Sequence, residues 1–406
     1  MSLQVDIRQV IHSLSDALDL VGIDEVQHGK RVAFMAWECG TAMRLDPLTL
    51  EKVYHASLLH DCGVSSTQVH RSLVSELDWS GSQQHCLRGE ELLKRCRLFC
   101  GLPLIIRYHH THWQDLPADL DPEVALISNL IYLADRVDAL VAQHGGIDIL
   151  HARHSILEAI KKRQGVFFET KMTDAFLEVA ASEVFWLMLD SRHLSRYIME
   201  MERKSKPEVV DQKSFFEVAT IFAEIVDAKS PFTVEHSLGV ARLVRLLGGL
   251  AGLSADRLDM LEIAGLLHDL GKLNVPDEIL EKPGPLTEEE RMIMMRHSFE
   301  SYQILSRMSG FEQIAQWAAY HHEALAGTGY PFHKDKKGLS LEARIIGVAD
   351  VFQALAQNRP YRDALPLEKI FVIMDDMVAD NTLDPQLVGL IKTHAEQCLR
   401  HAKCID

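Results

Sequence analysis

The chain has 406 residues, 47% apolar and 25% charged, a composition of folded globular domains that excludes collagenous, disordered and disulfide-scaffold chains. This length exceeds what one core usually organises, so two to three domains are expected. Acidic residues outnumber basic ones, 58 to 42, for a formal charge of −16; that excludes a broad basic surface for long nucleic acid but admits a small anionic ligand where positive charge is concentrated.

No apolar run approaches the roughly 18 residues needed to cross a bilayer, and the opening Met1-Ser2-Leu3-Gln4-Val5-Asp6 lacks the basic start and apolar core of a signal peptide. A cytoplasmic location away from membranes is expected. The seven cysteines, Cys39, Cys62, Cys86, Cys96, Cys100, Cys398 and Cys404, show no paired spacing and are expected to be reduced thiols.

Along the chain, apolar residues recur at three and four, as in Phe215 to Val226 and Leu258 to Leu267, while two-residue alternation is scarce. The pattern predicts an all-α protein. The charged, proline-containing stretch from Glu200 to Lys213 divides it, giving an expected domain over 1–200, a linker or connecting helix over 201–213 that could kink near Pro207, and a second domain over 214–406.

The two halves repeat one pattern of metal-ligand residues. The first half carries His28, His60-Asp61, His85, His109-His110 and Asp135; the second carries His236, His268-Asp269, His297, His321-His322 and Asp350. His28 to His60 and His236 to His268 are both 32 residues, and His85 to His109 and His297 to His321 are both 24. The remaining intervals differ by loop-sized amounts. Neutral imidazole together with carboxylate suits Fe, Mn, Ni or Zn better than Mg or Ca. Asp350, in Ile345-Ile346-Gly347-Val348-Ala349-Asp350-Val351-Phe352, and Asp135, after Leu130-Ile131-Tyr132-Leu133-Ala134, are carboxylates in apolar runs, costly to bury unless a cation compensates them.

The second half resembles the HD-GYP phosphodiesterases, a branch of the HD metal-dependent phosphohydrolases that hydrolyses cyclic dinucleotides. The resemblance runs from about Phe215 to Ala395 through His268-Asp269-Leu270-Gly271-Lys272, Val275-Pro276-Asp277-Glu278-Ile279-Leu280, Lys282-Pro283-Gly284-Pro285-Leu286-Thr287, Met295-Arg296-His297, His321-His322-Glu323, Gly327-Thr328-Gly329-Tyr330-Pro331, Ala349-Asp350 and Arg359-Pro360-Tyr361-Arg362. It implies two tandem HD-type helical bundles and a dinuclear site. His236, His268, Asp269 and Asp350 would hold one metal, and Asp269 would bridge to a second held by His297, His321 and His322. Iron or manganese is the implied metal, with nickel or zinc as alternatives. Phe232 stands where some members place a glutamate for a third metal, and the neighbouring Glu235 points elsewhere on a helix, so two ions are expected. Asp269 and Lys272 would be catalytic; Lys272, Tyr330, Arg359 and Arg362 would contact the substrate's phosphates or bases. No dedicated general acid is evident.

The first half keeps all seven candidate ligands, but Val64 stands at the Lys272 position, His144 at the Arg359 position, and no Gly-Tyr-Pro follows His109-His110. It reads as a degenerate HD domain that is regulatory, structural or dimerising, with metal binding retained and a homodimer admitted. Cys62 and Cys86 adjoin its ligands and are expected to be buried inert thiols. The expected activity is conversion of a 3′,5′ cyclic dinucleotide, cyclic di-GMP, 3′3′-cyclic GMP-AMP or both, into a 5′-phosphorylated linear product, with further cleavage to mononucleotides left open. The paired halves resemble the architecture of the Vibrio 3′3′-cyclic GMP-AMP phosphodiesterases. Two rival readings are a generic HD nucleotide phosphohydrolase, which needs neither Tyr330 nor Arg359, and a non-enzymatic HD scaffold, which needs no intact ligand set.

Overall fold

The computed structural model describes residues 5–22, 27–64, 66–144, 148–204, 209–229, 236–358 and 363–404. Among these the protein is helical, with one two-stranded antiparallel sheet in which β1 (Val5–Asp6) pairs with β2 (Val209–Val210). The chain divides into two compact units, one of Val10–Glu208 and one that joins Met1–Gln9 to Val209–Asp406.

In the first unit the helices are α1 (Ile7–Asp19), α2 (His28–Ala42), α3 (Pro47–Leu59), α4 (Thr67–Ser75), α5 (Gln83–Leu93), α6 (Pro103–Tyr108), α7 (Pro122–Gln143), α8 (Ile149–Lys161), α9 (Thr170–Val179), α10 (Glu183–Leu187) and α11 (Ser191–Lys204). In the second they are α12 (Gln212–Asp227), α13 (His236–Leu250), α14 (Ala255–Leu267), α15 (Asp277–Leu280), α16 (Glu288–Leu305), α17 (Glu312–Ala319), α18 (Leu341–Ala356), α19 (Leu367–Ala379), α20 (Pro385–Thr393) and α21 (Ala395–Ala402). The sequence expectation of an all-α fold is met, and the two periodic stretches singled out there fall on α12 and α14.

Local sequence accounts for the helix starts. Asp46 accepts hydrogen bonds from the backbone N–H groups of Leu48 and Thr49, with Pro47 opening α3. Thr287 and Glu290 form a reciprocal capping box at α16, satisfying amides that the first turn leaves without partners. In the first unit α2 packs on α3, α7 and α9; in the second α13 packs on α14, α18 and α21.

The opening residues group with the second unit: Val5 and Asp6 pair with Val210 and Val209, and Val5 is 1% exposed, whereas the sequence expectation placed a first domain over 1–200. The stretch expected as a linker or one kinked helix ends α11 at Lys204, forms β2, and starts α12 at Gln212. Residues 205–208, Pro207 included, lie outside the described residues.

Candidate metal centres

In the second unit each ligand sits where a helix begins, ends or crosses the core. His236 opens α13, His268 caps the C-terminal end of α14, and Asp269 leaves that helix into a tight turn over Leu270–Asn274. The turn lies directly against α16: a Cβ on Gly271 would fall 2.0 Å from the carbonyl oxygen of His297, so only glycine permits this approach. Ser301 fixes the contact, accepting from the Gly271 amide at 2.9 Å and donating to the His268 carbonyl at 3.0 Å. His297 comes from α16, His321 and His322 follow α17, and Asp350 lies in α18.

The side chains converge on the Asp269 carboxylate. Its Oδ2 lies 3.3 Å from His236 Nε2 and 3.4 Å from His268 Nε2, while its Oδ1 lies 3.6 Å from His297 Nε2 and 3.7 Å from His321 Nε2. Asp350 Oδ1 approaches His236 and His268 at 3.5 and 3.8 Å. His297, His321 and His322 bring one ring nitrogen each within 4.8 Å of one another, and His236 and His268 do the same with a carboxylate oxygen of Asp350. One carboxylate thus faces two groups of donors through its two oxygens, as a bridging ligand does.

Whether this donor set fits a metal can be judged from its hydrogen bonds. His268, His297 and His321 each donate Nδ1–H to a backbone carbonyl three residues earlier, at 2.8, 2.6 and 2.6 Å, and His236 donates Nδ1–H to the amide oxygen of Gln353 at 2.6 Å. Since these oxygens only accept, each ring turns Nε2 into the cluster as the nitrogen left to ligate. The Nε2 atoms crowd together, His236 to His268 at 3.3 Å and His297 to His321 at 3.3 Å, and the buried Asp269 Oδ1 accepts no hydrogen bond. Crowded inward-facing imidazole nitrogens and a bare buried carboxylate oxygen fit a cation at each cluster.

Electrostatics separate the donors: burial alone would lower His268, but the carboxylates of Asp269 and Asp350 raise it. Burial holds His297 down to about 3 and His322 down to about 4, leaving both imidazoles neutral donors. Burial alone would raise the Asp269 carboxyl, but His268 and Lys272 beside it hold it well below the usual range. Lys272 Nζ donates to Asp269 Oδ2 at 2.5 Å, so the turn does bring its ammonium to the centre. Tyr330 stacks on His322, with ring centroids 4.8 Å apart and planes 29° apart. The loop bearing Tyr330 is held by Glu323, which accepts from the amides of Phe332 and Lys334 at 2.7 and 2.8 Å. Arg359, Arg362, Phe232 and Glu235 lie outside the described residues.

The first unit repeats this arrangement. His28 opens α2, His60 caps α3, His85 is in α5, His109 and His110 follow α6, and Asp135 is in α7. Asp61 Oδ2 faces His28 and His60 at 3.5 and 3.4 Å, and its Oδ1 faces His85 at 3.4 Å. A Cβ on Gly63 would fall 1.9 Å from the His85 carbonyl oxygen, the counterpart of Gly271 over His297. Val64, at the lysine position, is buried, as are Cys62 and Cys86.

Two partners escaped the sequence reading. Gln353, three residues after Asp350, and Asp138, three after Asp135, hold the Nδ1–H of His236 and His28 at 2.6 and 2.7 Å. Their signal was the spacing of three that puts both side chains on one helical face.

Residues 220–387 match the HD domain family. The chain is 35% identical over 402 residues to 3′3′-cGAMP-specific phosphodiesterase 1 of Vibrio cholerae serotype O1, covering 97% of this chain and 93% of that protein. It is 30% identical over 440 residues to 3′3′-cGAMP-specific phosphodiesterase 3 of the same organism, covering 95% and 93%. The crystal structure of the cyclic GMP-AMP specific phosphodiesterase V-cGAP3 of V. cholerae superposes with a TM-score of 0.68 at 26% identity, over 100% of this chain and 99% of that one. The chain belongs to the HD-GYP family of HD-domain phosphohydrolases.

Proposed function

We propose that the second unit opens the ring of 3′3′-cyclic GMP-AMP, with Asp269 bridging two metal ions at its centre. Metal-dependent hydrolysis of cyclic dinucleotides is the activity of the family; the choice of this dinucleotide is supported by the relatives matched along nearly the whole chain, both named for it. The observation that carries the reading is the division of the Asp269 oxygens between two pairs of imidazoles.

In this reading one ion is held by His236, His268, Asp269 and Asp350, the other by Asp269, His297, His321 and His322. Iron or manganese suits the imidazole-rich, carboxylate-bridged donors. Two such ions supply Lewis acidity and an activated water for in-line attack at phosphorus. The protein's residues do the rest. The backbone carbonyls behind His268, His297 and His321, and Gln353 behind His236, fix the tautomers and aim every Nε2 inward. Lys272, at the bridging carboxylate, adds a fixed ammonium where a phosphodiester anion gains charge in the transition state. Tyr330, lying on His322 at the edge of the centre, presents a ring face and a hydroxyl to the incoming dinucleotide; burial pushes that phenol up, so it stays protonated and able to donate. Water adds across one P–O3′ bond, giving a 5′-phosphate and a free 3′-hydroxyl in a linear dinucleotide. Arg359 and Arg362 are proposed as contacts to the second phosphate.

The test compares initial rates on 3′3′-cyclic GMP-AMP, cyclic di-GMP and linear dinucleotides at matched metal loading, for the wild type and for H268A and D269A. The mixed dinucleotide is expected to be turned over fastest, and both substitutions are expected to abolish turnover. Equal or faster hydrolysis of cyclic di-GMP would overturn the substrate assignment, and activity surviving in D269A would overturn the site.

A further inference from the structure

We propose that the first unit holds a second dinuclear transition-metal centre, bridged by Asp61 and retained without the lysine and the Gly-Tyr-Pro loop of the other unit. The geometry leaves little else for these side chains to do. His60 and His109 donate Nδ1–H to the carbonyls of Ser57 and Ile106 at 2.7 and 2.6 Å, and His28 donates Nδ1–H to Asp138 at 2.7 Å. Each ring therefore leaves Nε2 as the nitrogen turned into the cluster. The Nε2 atoms of His28 and His60 stand 3.2 Å apart, and both face the same oxygen of Asp61, at 3.5 and 3.4 Å. His85 Nε2 lies 3.2 Å from His109 Nε2, which joins the second group of donors.

The carboxylate points to the same conclusion. Asp61 Oδ1 is buried and accepts no hydrogen bond, at the place where His85, His109 and His110 gather their nitrogens. A buried carboxylate oxygen is normally satisfied, and a cation is what these three imidazoles would share with it. On the other side Arg136 engages only Oδ2 of Asp135, at 3.1 and 2.8 Å. That leaves Asp135 Oδ1, 3.5 Å from His28 Nε2, turned toward the second cluster.

Selection for catalysis does not explain this set. Val64 replaces the ammonium that Lys272 brings to Asp269, so the unit has kept donors for metal while lacking the charge that would act on a phosphodiester. The support behind the first imidazole also differs: His236 leans on a neutral amide, Gln353, whereas His28 leans on the carboxylate of Asp138, which Arg31 clamps at 2.6 and 2.8 Å. A carboxylate behind a ligating histidine makes that ligand more basic and its metal harder to remove. The first-unit ions should accordingly be the slower to leave.

The experiment uses the full chain, stripped with chelator, reloaded with Mn(II), freed of excess metal and assayed for bound manganese by mass spectrometry. About four ions per chain are expected in the wild type, two for each bridged centre. About two are expected in the H268A/D269A variant and about two in H60A/D61N, with helical circular dichroism retained. D138N is expected to bind the wild-type number but to release two of them roughly 10- to 100-fold more readily to a competing chelator. H268A/D269A folded and free of manganese would overturn the proposal. This count decides the matter even where H60A/D61N does not fold. Failure of the catalytic reading is a separate result, since it appears as hydrolysis surviving in H268A/D269A.

Discussion

Lys272 is the residue whose role the structure sharpens most. Its ammonium donates to the Oδ2 of Asp269, the oxygen facing His236 and His268, yet it has no lone pair to offer a metal while protonated. It should act on the substrate's charge rather than on metal retention. Lys272→Ala is expected to keep its metal and to lose about 10²- to 10³-fold in kcat, the usual consequence of removing one preorganised donor at a developing anion. Metal content and kcat measured on the same preparation check this, and an unchanged kcat would remove Lys272 from the chemistry. At this scale the sequence was most informative. The equal intervals of 32 and 24 singled out four of the seven candidate positions in each half, and the same order of residue types supplied the other three. It was silent on Gln353 and Asp138, whose polar side chains acquire meaning only beside the histidines they support.

At the scale of elements, the turn after α14 that carries Lys272 is braced from the end of α12. The buried Lys229 side chain reaches from the end of α12 to donate to the carbonyl of Leu273, in the same turn as Lys272, with Asp277 3.8 Å away. Burial lowers this amine to about 8. The folded protein therefore releases the proton near pH 8, while the unfolded chain keeps it to about 10.4. Between those values the unfolded state binds more protons, so this group makes stability rise with pH, and below 8 its destabilising effect is full and constant. The denaturation midpoint of Lys229→Met, compared with wild type from about pH 7.5 to about 10, is expected to lack that rise. Identical pH profiles would show that Lys229 does not titrate in this range. The helices themselves were legible from apolar periodicity. The pairing of Val5–Asp6 with Val209–Val210 was not, because two-residue strands leave too few positions for alternation to register.

At the scale of the whole molecule, a chain of formal charge −16 gathers carboxylates and imidazoles into one buried cluster in each unit. Binding of cations to the folded state alone stabilises it, by about 2.7 kcal/mol for each site at a hundredfold excess over its dissociation constant. Chelation is expected to lower the temperature of heat unfolding and Mn(II) to restore it. A melting profile unaffected by complete metal loss, verified by mass spectrometry, would show that the clusters are stable without cations. No helix among the described residues is long and apolar enough to cross a membrane.

By itself the sequence determined the all-α class, the tandem repeat, the set of candidate ligands and the contrast between Lys272 and Val64, since all of these follow from residue type and spacing along one chain. Only the tertiary structure decided which oxygen of Asp269 faces which imidazoles, that Gly271 and Gly63 must be glycine because a neighbouring helix carbonyl occupies the place of a Cβ, and that the opening strand folds with the second unit. These depend on distances between segments far apart in the chain, and periodicity carries no record of such distances.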